Sequence, residues 1–139
     1  MERRPFGPSR VMVPIIGQGT WTMERDRRES IAALRRGLDL GMTHIDTAVV
    51  GYSPFGQGDF PQDHPVLQEI ATAHSATPRQ VALRFLLRQP GTFTIPKAST
   101  VAHVEENAGA ANVKLEPEEI DRIDAAFPLG PIEGGLPRL

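Results

Sequence analysis

The sequence predicts an α/β fold built on parallel strands. Three observations predict it: a short apolar run closed by glycines, an amphipathic helical stretch behind that run, and a second strand-like run immediately after. The first strand is expected over residues 11–16 (VMVPII), where it ends in GQGTW, a glycine-rich strand-to-helix corner. From Glu29 the apolar residues recur at helical spacing, with Ile31, Leu34 and Leu38 on one stripe and arginines elsewhere. Gly41 stands where such a helix, about three turns long, would stop. Residues 43–48 (THIDTA) return to strand character, so the first third reads strand, helix, strand. That order suits parallel strands, which need a crossover between them rather than a tight turn.

The second half continues in the same style. A helix is expected over residues 66–73, and a second opens with Thr77 as N-cap and Pro78 as its first helical residue. The second helix reads RQVALRFLLR, in which Val81, Ala82, Phe85 and Leu86 make a wide apolar face, and Gln89, Pro90 and Gly91 end it. TFTIPKAST gives another short strand and turn, residues 101–110 look helical, and a last helix opens near Pro117 with Ile120, Ile123 and Phe127 inward. There is no internal repeat, and the chain of 139 residues is read as one domain, 1–139.

Composition narrows the function. A net charge of −2 with Lys and Arg scattered among acids lacks the footprint of a nucleic-acid binder. The absence of cysteine excludes disulfides, thiolate catalysis and thiolate metal sites. No run approaches the roughly 20 apolar residues that span a bilayer, and the N-terminal segment MERRPFGPSRVMVPIIGQGT has no apolar stretch of signal-peptide length, so a cytoplasmic protein without membrane contact is expected. His44, His64 and His74 have neither metal-ligand spacing nor an acidic companion in the sequence. A dinucleotide fingerprint of the G-x-G-x-x-G type is only half met: Gly17 and Gly19 fit, Thr22 stands at the third glycine, and Asp46 lies too far along.

The stretches GQGTW, GLDLGMTHIDTA, YSPFGQG, TPRQVALRFLL, and IPKAST followed by HVEENAGA resemble the aldo-keto reductases, most of all the bacterial members, and occur in that family's order. The family is a complete (β/α)8 barrel that typically needs about 250 residues. The resemblance therefore implies a barrel with its middle excised. Residues 17–48 resemble the first two strands and their helix, and residues from Val49 on resemble the last two units, with the join beside Ala48. The implied fold is a partial (β/α)8 barrel, with three or four parallel strands and flanking helices. Four strands cannot close an eight-stranded barrel, so a homo-oligomer that covers the open sheet is expected, with a monomer whose helices collapse over the sheet as the alternative.

The resemblance also implies a chemistry, carbonyl reduction by hydride from NADP(H), acting on small aldehydes or ketones. Of the family's catalytic groups only the aspartate has a counterpart, Asp46. The family's D-T-A-x-x-Y-G pattern would put a tyrosine where this chain has Gly51, and the lysine and histidine would lie in the excised strands. Tyr52 matches the tyrosine that stacks on the nicotinamide; as a stand-in acid it is distant from Asp46, because six extended residues span about 20 Å. Ser53, Gly56 and Gly58 resemble the segment that wraps the pyrophosphate, the glycines allowing close backbone approach.

The cofactor's other end is better represented. Lys97, Ser99 and Thr100 match positions that resemble the family's 2′-phosphate and pyrophosphate contacts, and Glu106 and Asn107 match positions near adenine. A lysine and hydroxyls ahead of a helix supply charge and donors to a phosphate. His103 stands where the family often has arginine, which leaves NADP against NAD open. Plainer roles are also open: Lys97 and Thr100 capping and solvating a helix start, Asp46 bonding to backbone, and Trp21 covering core. The alternative to a reductase is thus a non-catalytic nucleotide-binding or structural remnant.

Overall fold

The computed structural model describes residues 1–6, 10–20, 23, 26–43, 45–46, 55, 60–88 and 92–128. It opens with a hairpin of β1 (Arg3–Phe6) and β2 (Val11–Pro14), antiparallel, with Phe6 opposite Val11 and Arg3 opposite Pro14. This corrects the single strand expected at 11–16. Pro14 faces Arg3 in a non-hydrogen-bonded pair, where its missing N–H costs nothing, and the last rung of the hairpin is the Ile15 N–H donating to Glu2 O at 3.0 Å. The chain then turns and begins parallel pairing at Ile16, opposite Thr94.

From that point the chain runs through the middle of a small parallel sheet. β3 (Gln18–Gly19) pairs on one side with β4 (Ile45–Asp46), and its Gly19 bridges on the other side to Lys97. The N–H groups of Gly17 and Gly19 donate to Thr94 O (2.9 Å) and Pro96 O (3.3 Å), and the Thr94 N–H donates to Ile15 O (3.2 Å). Three parallel segments thus lie in the order 94–97, 16–19, 45–46. The earliest of them has the next and the last in sequence as its neighbours, which is the neighbour relation at the seam of a closed barrel. A fourth strand expected beyond residue 46 falls outside the described residues.

Helix α1 (Arg27–Asp39) connects β3 to β4. Asp26 caps it, its Oδ1 accepting the Glu29 N–H at 3.0 Å, and Gly41, at φ +86°, ends it as expected. Its buried face differs from the expected one. Ser30, Ala33 and Gly37 face inward, Leu34 is half-buried, and Ile31 and Leu38 are 40% and 46% exposed. The reason lies in Gln18. Its buried amide donates from Nε2 to Met42 O at 3.0 Å and to Leu34 O at 3.4 Å, and a Cβ on Gly37 would lie 2.0 Å from Gln18 Oε1. Only a small-residue face lets the helix approach that closely, so the large side chains turn outward.

The remaining helices are α2 (Pro65–Ala73), α3 (Pro78–Leu86), α4 (Val101–Gly109) and α5 (Pro117–Ala126), with a 3₁₀ turn at Ala110–Asn112. His64 Nδ1 accepts the Val66 N–H and caps α2. Thr77 caps α3 in a capping box completed by Gln80, as its position before Pro78 predicts. Two apolar clusters form. One gathers Ile15, Ile16, Met42, Leu83, Leu87 and Val104 beneath the sheet; the other gathers Leu67, Ile70, Ala71, Val81 and Ile123 between α2, α3 and α5. α3 belongs to both, through Leu83 on one side and Val81 on the other. Its inward residues are therefore Val81 and Leu83, with Leu87 just beyond it, while Ala82, Phe85 and Leu86 are half-buried rather than central. In α5 only Ile123 is fully inward; Ile120 and Phe127 are half-buried. Each fully buried Ile, Leu or Val contributes about 1.5–3 kcal/mol, so the two clusters dominate the stability of a chain this size. Among the described residues no helix is long and apolar enough to cross a membrane.

α2 and α5 are also tied by a half-buried pair. His74 Nε2 lies 2.8 Å from Glu119 Oε2 and 2.9 Å from Oε1, so His74 does have an acidic companion, one that comes from 45 positions away. Burial pushes the Glu119 carboxyl up, but the Glu116 N–H, His74 and Arg122 outweigh it and hold the carboxyl below the ordinary glutamate value of 4.5. Glu2, beside Arg4 and Arg84, is likewise lowered against its own desolvation.

Two outcomes follow from this packing. Gly37→Ala displaces Gln18 from its two carbonyls and costs about 1–2 kcal/mol net of the helix-propensity gain, whereas in a Gln18→Ala background the same change is neutral or stabilising; urea unfolding of the four chains measures the difference. Because the folded Glu119 value lies below the unfolded one, its contribution is complete above pH 4.5 and is lost as pH falls through the folded value. Melting temperature therefore drops on acidification below that point, and Glu119→Gln flattens part of the drop, leaving the share due to Glu2.

Candidate functional site

Gly19 fixes where the strands end. It is level with Asp46 on one side and with Lys97 on the other, so the three parallel segments finish along one carboxyl edge. A Cβ at Gly19 would stand 2.8 Å from Ile95 O, and any other residue would force the 94–97 segment away. Asp46 is located here by its backbone.

Beyond Lys97 the chain turns into α4. Ala98 is buried in the core and anchors the turn, Ser99 and Thr100 are half-buried, and Lys97 is exposed. Thr100 caps the helix, its Oγ1 accepting the His103 N–H at 3.2 Å. The plain role foreseen for Thr100 is thus real, and its hydroxyl proton remains available to a ligand. His103 is exposed one turn further along.

The next turn is locked to α3. Thr77 Oγ1 donates to Glu106 Oε1 at 2.7 Å, and Gln80 Nε2 donates to Glu106 O at 2.8 Å. Gly109 makes room for this, since a Cβ there would lie 2.3 Å from Gln80 Nε2. Asn107, 2% exposed, points into the interior, so of the two residues expected near adenine only Glu106 reaches a cavity. That cavity is a polar cleft of about 330 Å³ between the starts of α3 and α4, lined by Gln62, Asp63, Thr77, Arg79, His103 and Glu106 among others. Its volume is at the lower end of small-ligand sites.

Arg79 was not singled out by sequence reasoning. Its guanidinium carbon lies 4.8 Å from the centroid of Phe55, which stands edge-on to Phe60 at 5.1 Å. A signal was present: a cation in the first turn of a helix opposes the helix dipole. Tyr52, Ser53, Gly56 and Gly58, like Trp21 and His44, lie outside the described residues. Among the described residues no group of three or more His, Asp or Glu could hold a metal ion.

The model of the aldo/keto reductase family matches residues 49–127. The chain belongs to the aldo/keto reductase family. The methylglyoxal reductase YeaE of Escherichia coli is 37% identical over 84 residues, 58% of this chain and 30% of that protein. A probable aldo-keto reductase 1 of Glycine max is 30% identical over 145 residues, 83% of this chain and 39% of that one. This aldo/keto reductase chain therefore spans well under half the length of these curated relatives. Among solved structures, an aldo/keto reductase from Klebsiella pneumoniae in complex with NADP and acetate superposes with a TM-score of 0.85 at 18% identity, over 99% of each chain. The α/β architecture thus recurs in a chain of nearly the same length. The family match begins at residue 49, beside the join read in the sequence next to Ala48.

Proposed function

We propose that this chain is an aldo/keto reductase reduced to a single domain, 1–139, that keeps the wall gripping NADP(H) and lacks most of the proton-donating wall. Lys97, Ser99 and Thr100 meet the phosphates, and His103 and Glu106 line the adenosine cleft with Asn107 packed behind them. Tyr52, Ser53, Gly56 and Gly58 attend the nicotinamide and pyrophosphate. The reading rests on one observation above all, the level register of Asp46, Gly19 and Lys97. It sets the PKAST turn and the start of α4 at the carboxyl edge of parallel strands, where α/β proteins bind their ligands. The donor set suits the group: an exposed ammonium, two hydroxyls and a helix start for phosphate, and a polar cleft one turn away. The NADP bound by the Klebsiella protein supports the choice of cofactor, and the reductase names of the relatives support small aldehydes or ketones as substrates.

A bound nicotinamide supplies hydride. The chain's own part is to hold the phosphates through Lys97 and to set Asp46 at the strand edge. Gly51 stands where the family's acid would be, so protonation of the carbonyl oxygen falls to water or to Tyr52, and turnover is slow. A non-catalytic remnant is the second reading, favoured by the local bonds that already engage Thr100 and Glu106. Exposed Phe6, Val11, Met12, Ile31 and Leu38 support self-association, in a cytoplasmic setting.

Calorimetry tests the binding claim. NADPH binds with a dissociation constant below millimolar, and Lys97→Ala weakens it about tenfold, the loss of one charged contact. No heat at millimolar NADPH overturns the reading.

A further inference from the structure

We propose that Arg79 recognises the 2′-phosphate that distinguishes NADP(H) from NAD(H), doing from α3 what an arginine at position 103 of α4 would do. The inference rests on the cofactor reading above and deepens it by naming the residue that sets cofactor choice.

Three observations converge on Arg79. First, it lines the same cleft as His103 and Glu106, entering from the facing helix. Second, its donors are uncommitted. Arg4, Arg36, Arg84, Arg88 and Arg122 each pair with a carboxylate, whereas Arg79 makes no hydrogen bond or ion pair among the described residues. It is held instead by its face, 4.8 Å from the Phe55 centroid and 6.0 Å from that of Phe60. A guanidinium gripped by its π-face keeps its edge N–H groups free, and that planar edge is what matches a phosphate bidentately. Third, its place is unfavourable without a ligand. It sits in the first turn of α3, where the exposed N–H groups disfavour a cation. An anion bound there meets both the helix start and the guanidinium, so occupation removes the conflict.

The neighbouring acids oppose a phosphate in the cleft, so a phosphate needs a cation there to offset them. Asp63 and Glu106 also line it, and Glu106 already accepts from Thr77. Apart from Arg79, the ionisable side chains that line the cleft itself are two carboxylates and one imidazole, and the Lys97 ammonium belongs to the turn beside it. Affinity for NADPH therefore depends on Arg79, while NADH, which carries only a hydroxyl at that position, does not need it.

The test compares dissociation constants of NADPH and NADH by calorimetry on the full chain. It uses the wild type, Arg79→Gln, Arg79→Lys, and Arg79→Gln combined with His103→Arg. Arg79→Gln weakens NADPH at least about tenfold and NADH less than about twofold. Arg79→Lys retains part of the preference, and adding His103→Arg restores it by supplying the charge from the opposite helix. In the wild type the NADPH to NADH ratio stays level between about pH 7 and 9, because arginine keeps its charge and the phosphate is already fully ionised. Equal losses for both cofactors, as expected if Arg79 only seats Phe55, overturn the proposal. So does an unchanged preference, or a ratio that falls with pH as a histidine contact would make it. A wild type that binds neither dinucleotide overturns the cofactor reading itself and this inference with it, and that outcome is seen before any variant is measured.

Discussion

The backbone of Gly17 to Gly19 is the contact on which the rest of the molecule depends. One side of it accepts the chain that follows α1, and the other accepts the segment that leads into α4. Bringing Lys97 beside Gly19 closes a long loop, at a cost of about 4 kcal/mol if the intervening chain were flexible. A few short backbone bonds do not offset that by themselves. The fully buried Ile15 and Ile16, each contributing about 1.5–3 kcal/mol, do. Core packing thus holds the seam shut, and the glycine permits the approach.

The helices follow from the same constraint. Because Gln18 lies under α1, that helix must present Ser30, Ala33 and Gly37, and it lies along α4, with Arg36 paired to Glu105 at 2.8 Å. α3 then serves both apolar clusters and also reaches α4 through Thr77 and Gln80. The candidate cleft is the space left where α3 and α4 begin, closed on one side by the turn at Gln62 and Asp63 that precedes α2. The cost of this economy is visible on the other side of α1, where Ile31 and Leu38 are left without cover.

Local chemistry was legible in the sequence and long-range placement was not. Thr77 before Pro78, Gly41 after α1 and Thr100 before α4 announce caps through their own residue types, and each forms its cap. The parallel sheet followed from the alternation of strand-like and helical runs, and the turn at Lys97 from its motif. The β1 strand is not legible because RRPF carries two arginines and a proline, and its partner at 11–14 reads in the sequence as the start of the parallel sheet. The face of α1 was misjudged because periodicity favours the largest apolar side chains, whereas a buried glutamine one element away decides the spacing. The His74–Glu119 pair joins residues on different helices, which no local pattern reveals. Arg79 was hidden for the same reason, since its partners Phe55 and Phe60 come from an earlier segment.

The chain folds so that its earliest parallel strand lies between the next and the last. Amide hydrogen exchange at Gly17 and Gly19, whose N–H groups donate to Thr94 O and Pro96 O, reads that seam directly. The account predicts protection as strong as that of the Leu87 amide at the end of α3. Exchange at loop-like rates at both glycines, with the helices still protected, would contradict it.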